Sequence, residues 1–285
     1  MSMTRSNSDS GLEPELSLVI PAYNEAENLP VLADEIRRAL APTRWSYEVL
    51  FIDDGSSDDS PQVLQRLETQ DPSLRALRLA RNSGQSAALT AGFRQARGSI
   101  VVTLDADLQN DPADIPRLLE TLEDNDVDLV SGVRADRQDT WLRRLSSRIA
   151  NRVRDSVLHD GITDVGCSLK AYRREVLEDL PRFTGMHRFL PALVQLHGGR
   201  VMEIPVRHRA RLHGQPKYNV RNRLWRGIAD LMAVRWMQKR WIRRQDVQEI
   251  SEWKARSSGV SSSSDSPPSD ADEAQLRSPD DPAQA

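Results

Sequence analysis

Two aspartates one residue apart, Asp105 and Asp107, end an apolar run in the stretch SIVVTLDADLQNDP, Ser99 to Pro112. In an extended segment, residues at i, i+2 and i+4 share a face. Asp105, Asp107 and Gln109 are therefore expected to present three oxygens to one point. Hard oxygen ligands of this kind suit Mg²⁺ or Mn²⁺. Two carboxylates are too few for a closed cage, which leaves positions for water and a diphosphate. The competing task, capping the next helix, falls more naturally to Asp111, just before Pro112. A second acidic pair, Asp53 and Asp54, closes YEVLFIDDGS. One of these carboxylates could accept hydrogen bonds from a base N–H or from ribose hydroxyls. The alternative is a turn with a cap, because Asp, Gly and Ser favour turns. Ser57 or Asp58 can supply that cap.

Both pairs need elements to hold them. LSLVIPAYN reads as a buried strand that breaks at Pro21, and YEVLFIDDGS, LRALRLA, Ser99–Leu104 and VDLVSGV read as four more. Between them, Leu29, Leu32, Ile36 and Leu40 recur at helical spacing. DDSPQVLQRLE, SGQSAALTAGFRQA (closed by Gly98) and PADIPRLLETLE also read as helices. Such alternation predicts an α/β fold with a mostly parallel sheet and helices on both faces. Ligands of such sheets bind beyond the carboxyl ends of the strands. Those ends carry Asn24 and Glu25, Asp53 and Asp54, Asp105 and Asp107, and Arg134.

The 285 residues suffice for one large α/β domain with appendages. A single cysteine, Cys167, excludes an intramolecular disulfide and reads as a small buried residue. The N-terminus lacks the apolar core of a signal peptide, and no run of eighteen apolar residues exists. Charge is segregated: residues 246–285 hold nine acids and three bases in a Ser/Pro-rich tail expected to be disordered. The five histidines show no metal-ligand spacing. HRFLPALVQLHGG reads as a helix at the edge of an acceptor site, with His187 near its mouth. Seven arginines stand against two aspartates from Arg134 to Arg154, around Trp141, and eight bases stand against Asp230 from Arg221 to Arg244. In the second segment Leu224, Trp225, Ile228, Leu231, Met232 and Trp236 fall on one helical face. A basic amphipathic helix of this kind can lie among lipid headgroups or dock on the domain through the same face. The expected division is 1–14 disordered, 15–220 the α/β domain, 221–245 the basic helix and 246–285 the acidic tail.

LVIPAYNEAENLP, YEVLFIDDGSSDDS, RNSGQSAALTAGF, VVTLDADLQNDP and DLVSGVR together resemble the family 2 glycosyltransferases of the GT-A fold. Within that group the chain is most similar to dolichyl-phosphate mannosyltransferase and bacterial polyprenyl-phosphate glycosyltransferases. ITDVGCSLKAYRREVL and RLHGQPKYN agree, so the likeness runs from about Leu16 to Tyr218. The resemblance implies that Pro21, Tyr23 and Glu25 contact the nucleotide and that Asp53 and Asp54 read base and ribose, Asp54 chiefly. It places Asp105, Ala106, Asp107 and Gln109 at the diphosphate, with Asp105, Asp107 and Gln109 on Mg²⁺ or Mn²⁺. Arg134 matches an arginine facing the transferred phosphate. Arg211 and Lys217 match residues that grip donor phosphates, although Pro216 stands where the family has serine. Asp164 matches a family aspartate that is either a base or an orienting residue; the orienting role is preferred.

The activity implied is inverting transfer of a mannose- or glucose-type sugar from a nucleotide diphosphate to a polyprenyl phosphate. A divalent metal with Arg211 and Lys217 would stabilise the departing diphosphate. A phosphate acceptor is already anionic near neutral pH and needs arginines rather than a base. Transfer to a hydroxyl of a glycan or lipid in the cell envelope is the alternative, and a non-catalytic nucleotide-sugar-binding module is the alternative of another class. The implied setting is the cytoplasmic face of a membrane, with no nucleic-acid partner.

Overall fold

A computed structural model describes residues 13–134, 152–210 and 220–241, without the side chains of 220–226. The expectations for the N-terminal arm, Trp141, Arg211, Lys217 and the acidic tail fall outside the described residues. Seven described strands form one sheet: β1 (Leu16–Ala22), β2 (Tyr47–Asp53), β3 (Leu74–Arg78), β4 (Ile100–Thr103), β5 (Leu129–Arg134), β6 (Lys170–Arg173) and β7 (Val201–Val206). Their spatial order is β3-β2-β1-β4-β6-β5-β7. Every pairing is parallel except those of β6, which runs against both β4 and β5. The helices are α1 (Leu29–Leu40), α2 (Ser60–Gln70), α3 (Gln85–Gln95), α4 (Ile115–Asp124), α5 (described over 152–158), α6 (Glu175–Glu178), α7 (Leu190–Leu196) and α8 (Val220–Arg240).

Strand alternation divides the core in two. Leu16, Leu18 and Ile20 of β1 point to the side of α1 and α4, where Leu29, Leu32, Ile36, Leu118 and Leu119 are fully covered. Val19, Leu50, Ile52 and Val101 point to the other side and pack with Ala88 and Leu89 of α3, Leu193 of α7, and Leu231 and Val234 of α8. The helical spacing read in α1 is therefore the buried stripe itself.

Three local readings change. β1 does not break at Pro21 but continues to Ala22, with Pro21 opposite Ile52. The last β1–β4 pair is Val19–Thr103, so Pro21 sits where β4 has already left and its missing N–H costs that ladder nothing. Helix α3 stops at Gln95, with Ala96 already extended, and Gly98 does not close it. A Cβ at Gly98 would lie 2.7 Å from the Leu16 carbonyl carbon, so the glycine instead admits close approach to β1. β4 ends at Thr103, so Asp105, Asp107 and Gln109 do not continue an extended strand. Residues 106 and 107 form a turn, and Leu108 adopts φ +60°.

Gly55 shows how tightly the loops at this edge pack. Its φ is +70°, and a Cβ there would lie 2.6 Å from the backbone of Arg81 and Asn82. Gly55→Ala is expected to destabilise the fold by more than about 1 kcal/mol, read as a lowered thermal midpoint. An unchanged midpoint would mean that the 81–82 backbone yields freely.

Candidate active site

The parallel strands β1, β2, β4 and β5 all end at one edge of the sheet. Because β6 is reversed, its first residue, Lys170, lies at that same edge, opposite Thr103 and Ser131. Polar groups from five strands thus converge there.

The loops after β1 and β2 are stitched together. The Asn24 N–H donates to Ser56 Oγ at 2.9 Å, the Ser57 N–H to Asn24 Oδ1 at 2.8 Å, and the Glu25 N–H to Ser60 Oγ at 2.9 Å. Tyr23 and Glu25 lie half-buried beside this seam, while Asp53 and Asp54 are buried beneath it. Asp53 Oδ1 accepts the Ser56 N–H at 3.0 Å. Its Oδ2 is buried without a hydrogen-bond donor, although Arg78 Nε stands 3.3 Å away. Asp54 is committed on both oxygens, accepting the Ser83 N–H at 2.7 Å and the Gly84 N–H at 2.8 Å. It therefore positions the start of α3, and each oxygen keeps a second lone pair for a ligand.

The next residue of α3 makes a link that no sequence pattern announces. Gln85 Nε2 donates to Asp105 Oδ1 at 2.7 Å. The two acidic pairs are thus joined through one turn, Asp54 holding Ser83 and Gly84, and Gln85 holding Asp105. Asp107 is buried, and its Oδ1 accepts the Gln109 N–H at 3.2 Å. That local turn, rather than strand alternation, sets Gln109 beside Asp107. Ala106 is buried between the aspartates. Asp111 takes the capping task expected of it, accepting the Ala113 N–H at 3.1 Å. Among the described residues, no three His, Cys, Asp or Glu side chains cluster as a metal site. The carboxylates of Asp105 and Asp107 and the amide oxygen of Gln109 are a hard-oxygen set that fits Mg²⁺ or Mn²⁺ as a partial shell.

Arg134, at the end of β5, is gripped by Asp164. Its backbone N–H, Nε and Nη2 donate to the Asp164 carboxylate at 3.2, 2.8 and 2.7 Å. A Cβ on Gly166 would sit 2.7 Å from Arg134 Nη2, so the glycine makes room for the guanidinium. Asp164 is held in turn, because Glu203 of β7 accepts the Thr163 and Asp164 N–H groups at 3.0 to 3.2 Å. The buried Lys170 amine donates to the Cys167 carbonyl. Burial pulls its pKa below the usual lysine range, against the opposing pull of Cys167, Asp164 and Asp105. His187 Nδ1 lies 2.8 Å from Ser86 Oγ in the first turn of α3.

Residues 17–181 match the model of glycosyl transferase family 2. The chain belongs to that family. Among the relatives of this family 2 chain is an undecaprenyl-phosphate 4-deoxy-4-formamido-L-arabinose transferase from Serratia proteamaculans, 42% identical over 214 residues. The alignment takes in 74% of this chain and 65% of that relative. The Proteus mirabilis protein of the same name is 39% identical over 206 residues, 72% of this chain and 63% of the relative. The chain thus spans just under two thirds of the length of these relatives. Solved structures share the fold: glucosyl-3-phosphoglycerate synthase from Mycobacterium tuberculosis, with Mn²⁺, UDP and phosphoglyceric acid, aligns with TM-score 0.60 and 19% identity over 82% of this chain and 81% of that one. A Pyrobaculum calidifontis mannosyltransferase, in complex with GDP-Man and Mn²⁺, aligns with TM-score 0.55 and 23% identity over 84% and 67%. The family 2 chain therefore has the GT-A fold expected of it.

Proposed function

We propose that this family 2 chain is an inverting glycosyltransferase that moves a sugar from a nucleotide diphosphate to a polyprenyl phosphate. The observation that carries this reading is the fork between Arg134 and Asp164. A hydroxyl acceptor needs a carboxylate placed to take its proton, and Asp164 already gives both oxygens to the guanidinium. A phosphate acceptor needs no base, only a cation held in a fixed orientation. The names of the relatives, which act on undecaprenyl phosphate, support the same acceptor. Their sugar is a modified pentose, so the donor panel must include such sugars beside the mannose and glucose types.

In this reading Asp53 and Asp54 face the nucleoside, with Pro21, Tyr23 and Glu25 lining its entry. Asp105, Asp107 and Gln109 would hold Mg²⁺ or Mn²⁺ at the diphosphate, and that ion would neutralise charge building on the leaving group. Gln85 fixes the Asp105 carboxylate. Arg134, oriented by Asp164, holds the acceptor phosphate. One of its oxygens attacks the anomeric carbon, the bond from that carbon to the diphosphate oxygen breaks, and the nucleoside diphosphate leaves with the electron pair. Arg211 and Lys217 are assigned to the donor phosphates, and their double alanine variant is expected to weaken nucleotide affinity about tenfold or more, measured by calorimetry. Unchanged affinity would remove them from the site. The acceptor places the work of this chain at a membrane, and among the described residues no helix is long and apolar enough to cross one.

The test is a panel of nucleotide sugars, each incubated with purified protein, Mg²⁺ or Mn²⁺ and polyprenyl phosphate, with sugar counted in the organic phase. Faster glycosylation of a soluble glycan hydroxyl than of any lipid phosphate would overturn the proposal.

A further inference from the structure

Helix α8 has two apolar sides, and among the described residues only one is packed into the core. Leu231 and Val234 are buried with Met186, Phe189 and Leu190. Ile228, Met232 and Trp236, spaced by four, form a separate stripe that is 43%, 58% and 63% exposed. The expected single face is therefore split, since Leu231 turns inward while Ile228, Met232 and Trp236 turn outward. The charges are sorted in the same way. Asp230, the one acid in Val220–Arg240, points inward, with Oδ2 2.6 Å from Arg188 Nη2. Lys239 and Arg240 are exposed, and Lys239, eleven residues after Ile228, returns to the stripe.

We infer that the Ile228–Met232–Trp236 stripe seats on an anionic lipid surface. Large apolar side chains flanked by bases, with the acid withdrawn, are what such a surface recognises. A helix with this sorting lies along the headgroups instead of spanning the bilayer. A polar or acidic protein partner would leave the apolar stripe unmatched, and an apolar one would leave the bases unmatched.

The inner side of α8 reaches the site. Gly185, at φ +96°, lies against the Asp230–Arg188 pair, a Cβ there falling 2.6 Å from Asp230 Oδ2. The Gly185 N–H donates to Ser86 Oγ at 3.0 Å, and Ser86 also meets His187. The adjacent Gln85 holds Asp105. A helix pressed on a bilayer is thereby tied, through Asp230, Arg188, Gly185 and Ser86, to the turn that positions Asp105. This second arm rests on the lipid-phosphate reading above; the seating does not.

Vesicle sedimentation of the full chain tests the seating. Wild type is expected to bind phosphatidylglycerol-containing vesicles and to bind phosphatidylcholine vesicles far less. Met232→Glu with Trp236→Glu should abolish binding while circular dichroism and nucleotide affinity stay unchanged. Lys239→Gln with Arg240→Gln should lose about fivefold per charge on anionic vesicles, the equivalent of ~1 kcal/mol each, and nothing on neutral ones. Wild-type indifference to anionic vesicles would overturn the inference. So would equal binding by the double glutamate variant, or a dimer in ultracentrifugation that this variant dissolves, which would assign the stripe to a second copy. For the second arm, Asp230→Ala should keep vesicle binding but slow transfer to a vesicle-borne acceptor more than to one in detergent. Equal slowing in both would end the coupling. Absence of transfer in every setting, with vesicle binding as expected, would remove the acceptor reading and leave the seating standing.

Discussion

Asp107→Ala is expected to lower turnover by about a thousandfold. The Lewis-acid contribution at a departing diphosphate is several kcal/mol, and each ~1.4 kcal/mol is a factor of ten. Asp107 is buried at the turn after β4, where its carboxylate also accepts the Gln109 N–H, so the variant removes both an oxygen ligand and the turn that sets Gln109. Asp107→Asn separates the two losses, because its amide oxygen can still accept that N–H while the charge is gone. Calorimetry gives a readout independent of turnover. In wild type, Mn²⁺ should tighten nucleoside diphosphate binding, and in either variant that metal-dependent gain should vanish. Gln85→Ala, which removes the hydrogen bond to Asp105 Oδ1, should reduce the gain without eliminating it. Full turnover by Asp107→Ala, or by wild type in excess chelator, would show that these oxygens hold no catalytic ion.

The second large effect is expected at Arg134. Arg134→Ala should cut transfer to polyprenyl phosphate by about a hundredfold or more, the usual consequence of truncating one partner of a desolvated charge pair. Nucleotide affinity should hardly change. Arg134→Lys should recover only part of the loss, since a point charge cannot reproduce the planar fork that meets Asp164. The companion variant Asp164→Asn discriminates orientation from base catalysis. If Asp164 only orients Arg134, the variant slows transfer but keeps the acidic limb of the pH–rate profile. Loss of that limb would make Asp164 a base and favour a hydroxyl acceptor. Loss of donor affinity in Arg134→Ala, with apparent affinity for the lipid intact, would move the arginine to the donor side.

Five of the seven described strands were legible in sequence, most plainly the three that are nearly continuous apolar runs. Leu16–Ile20, Val49–Ile52 and Ile100–Thr103 are buried on both faces with Ser17 and Thr103 their only polar residues, and Asp53 and Asp105 follow the second and third within two residues. β6 was invisible for the opposite reason. It has four residues, two of them basic, and its Lys170 is buried by tertiary context rather than by hydrophobicity. β7 carries Glu203 and Pro205, tolerable because it is the edge strand but disqualifying by pattern. The acidic pairs announced themselves through residue type and position. Gln85 and Glu203 did not, since a glutamine opening a helix and a glutamate in a strand have no distinctive spacing. Their tasks exist only once the start of α3 meets the turn after β4 and β7 is laid beside β5.

The reversed strand has a consequence for how such a site can diverge. β1, β2 and β4 lead to the acids proposed to read the donor, and β5 and β7 carry Arg134 and Glu203. β6 lies between these groups, entering at the ligand edge and leaving at the far one. The segment of Asp164 therefore leads into a strand at the ligand edge, where the other loops of the site follow one. Its length and composition can drift without re-registering the parallel strands, which are locked to one another by their own ladders. Such a boundary is a natural crossover point for recombination. A chimera joined in the β5–β6 connection ahead of Asp164 would take Arg134 from one parent and Asp164 from the other, so its transfer should survive only where the two still meet as a fork.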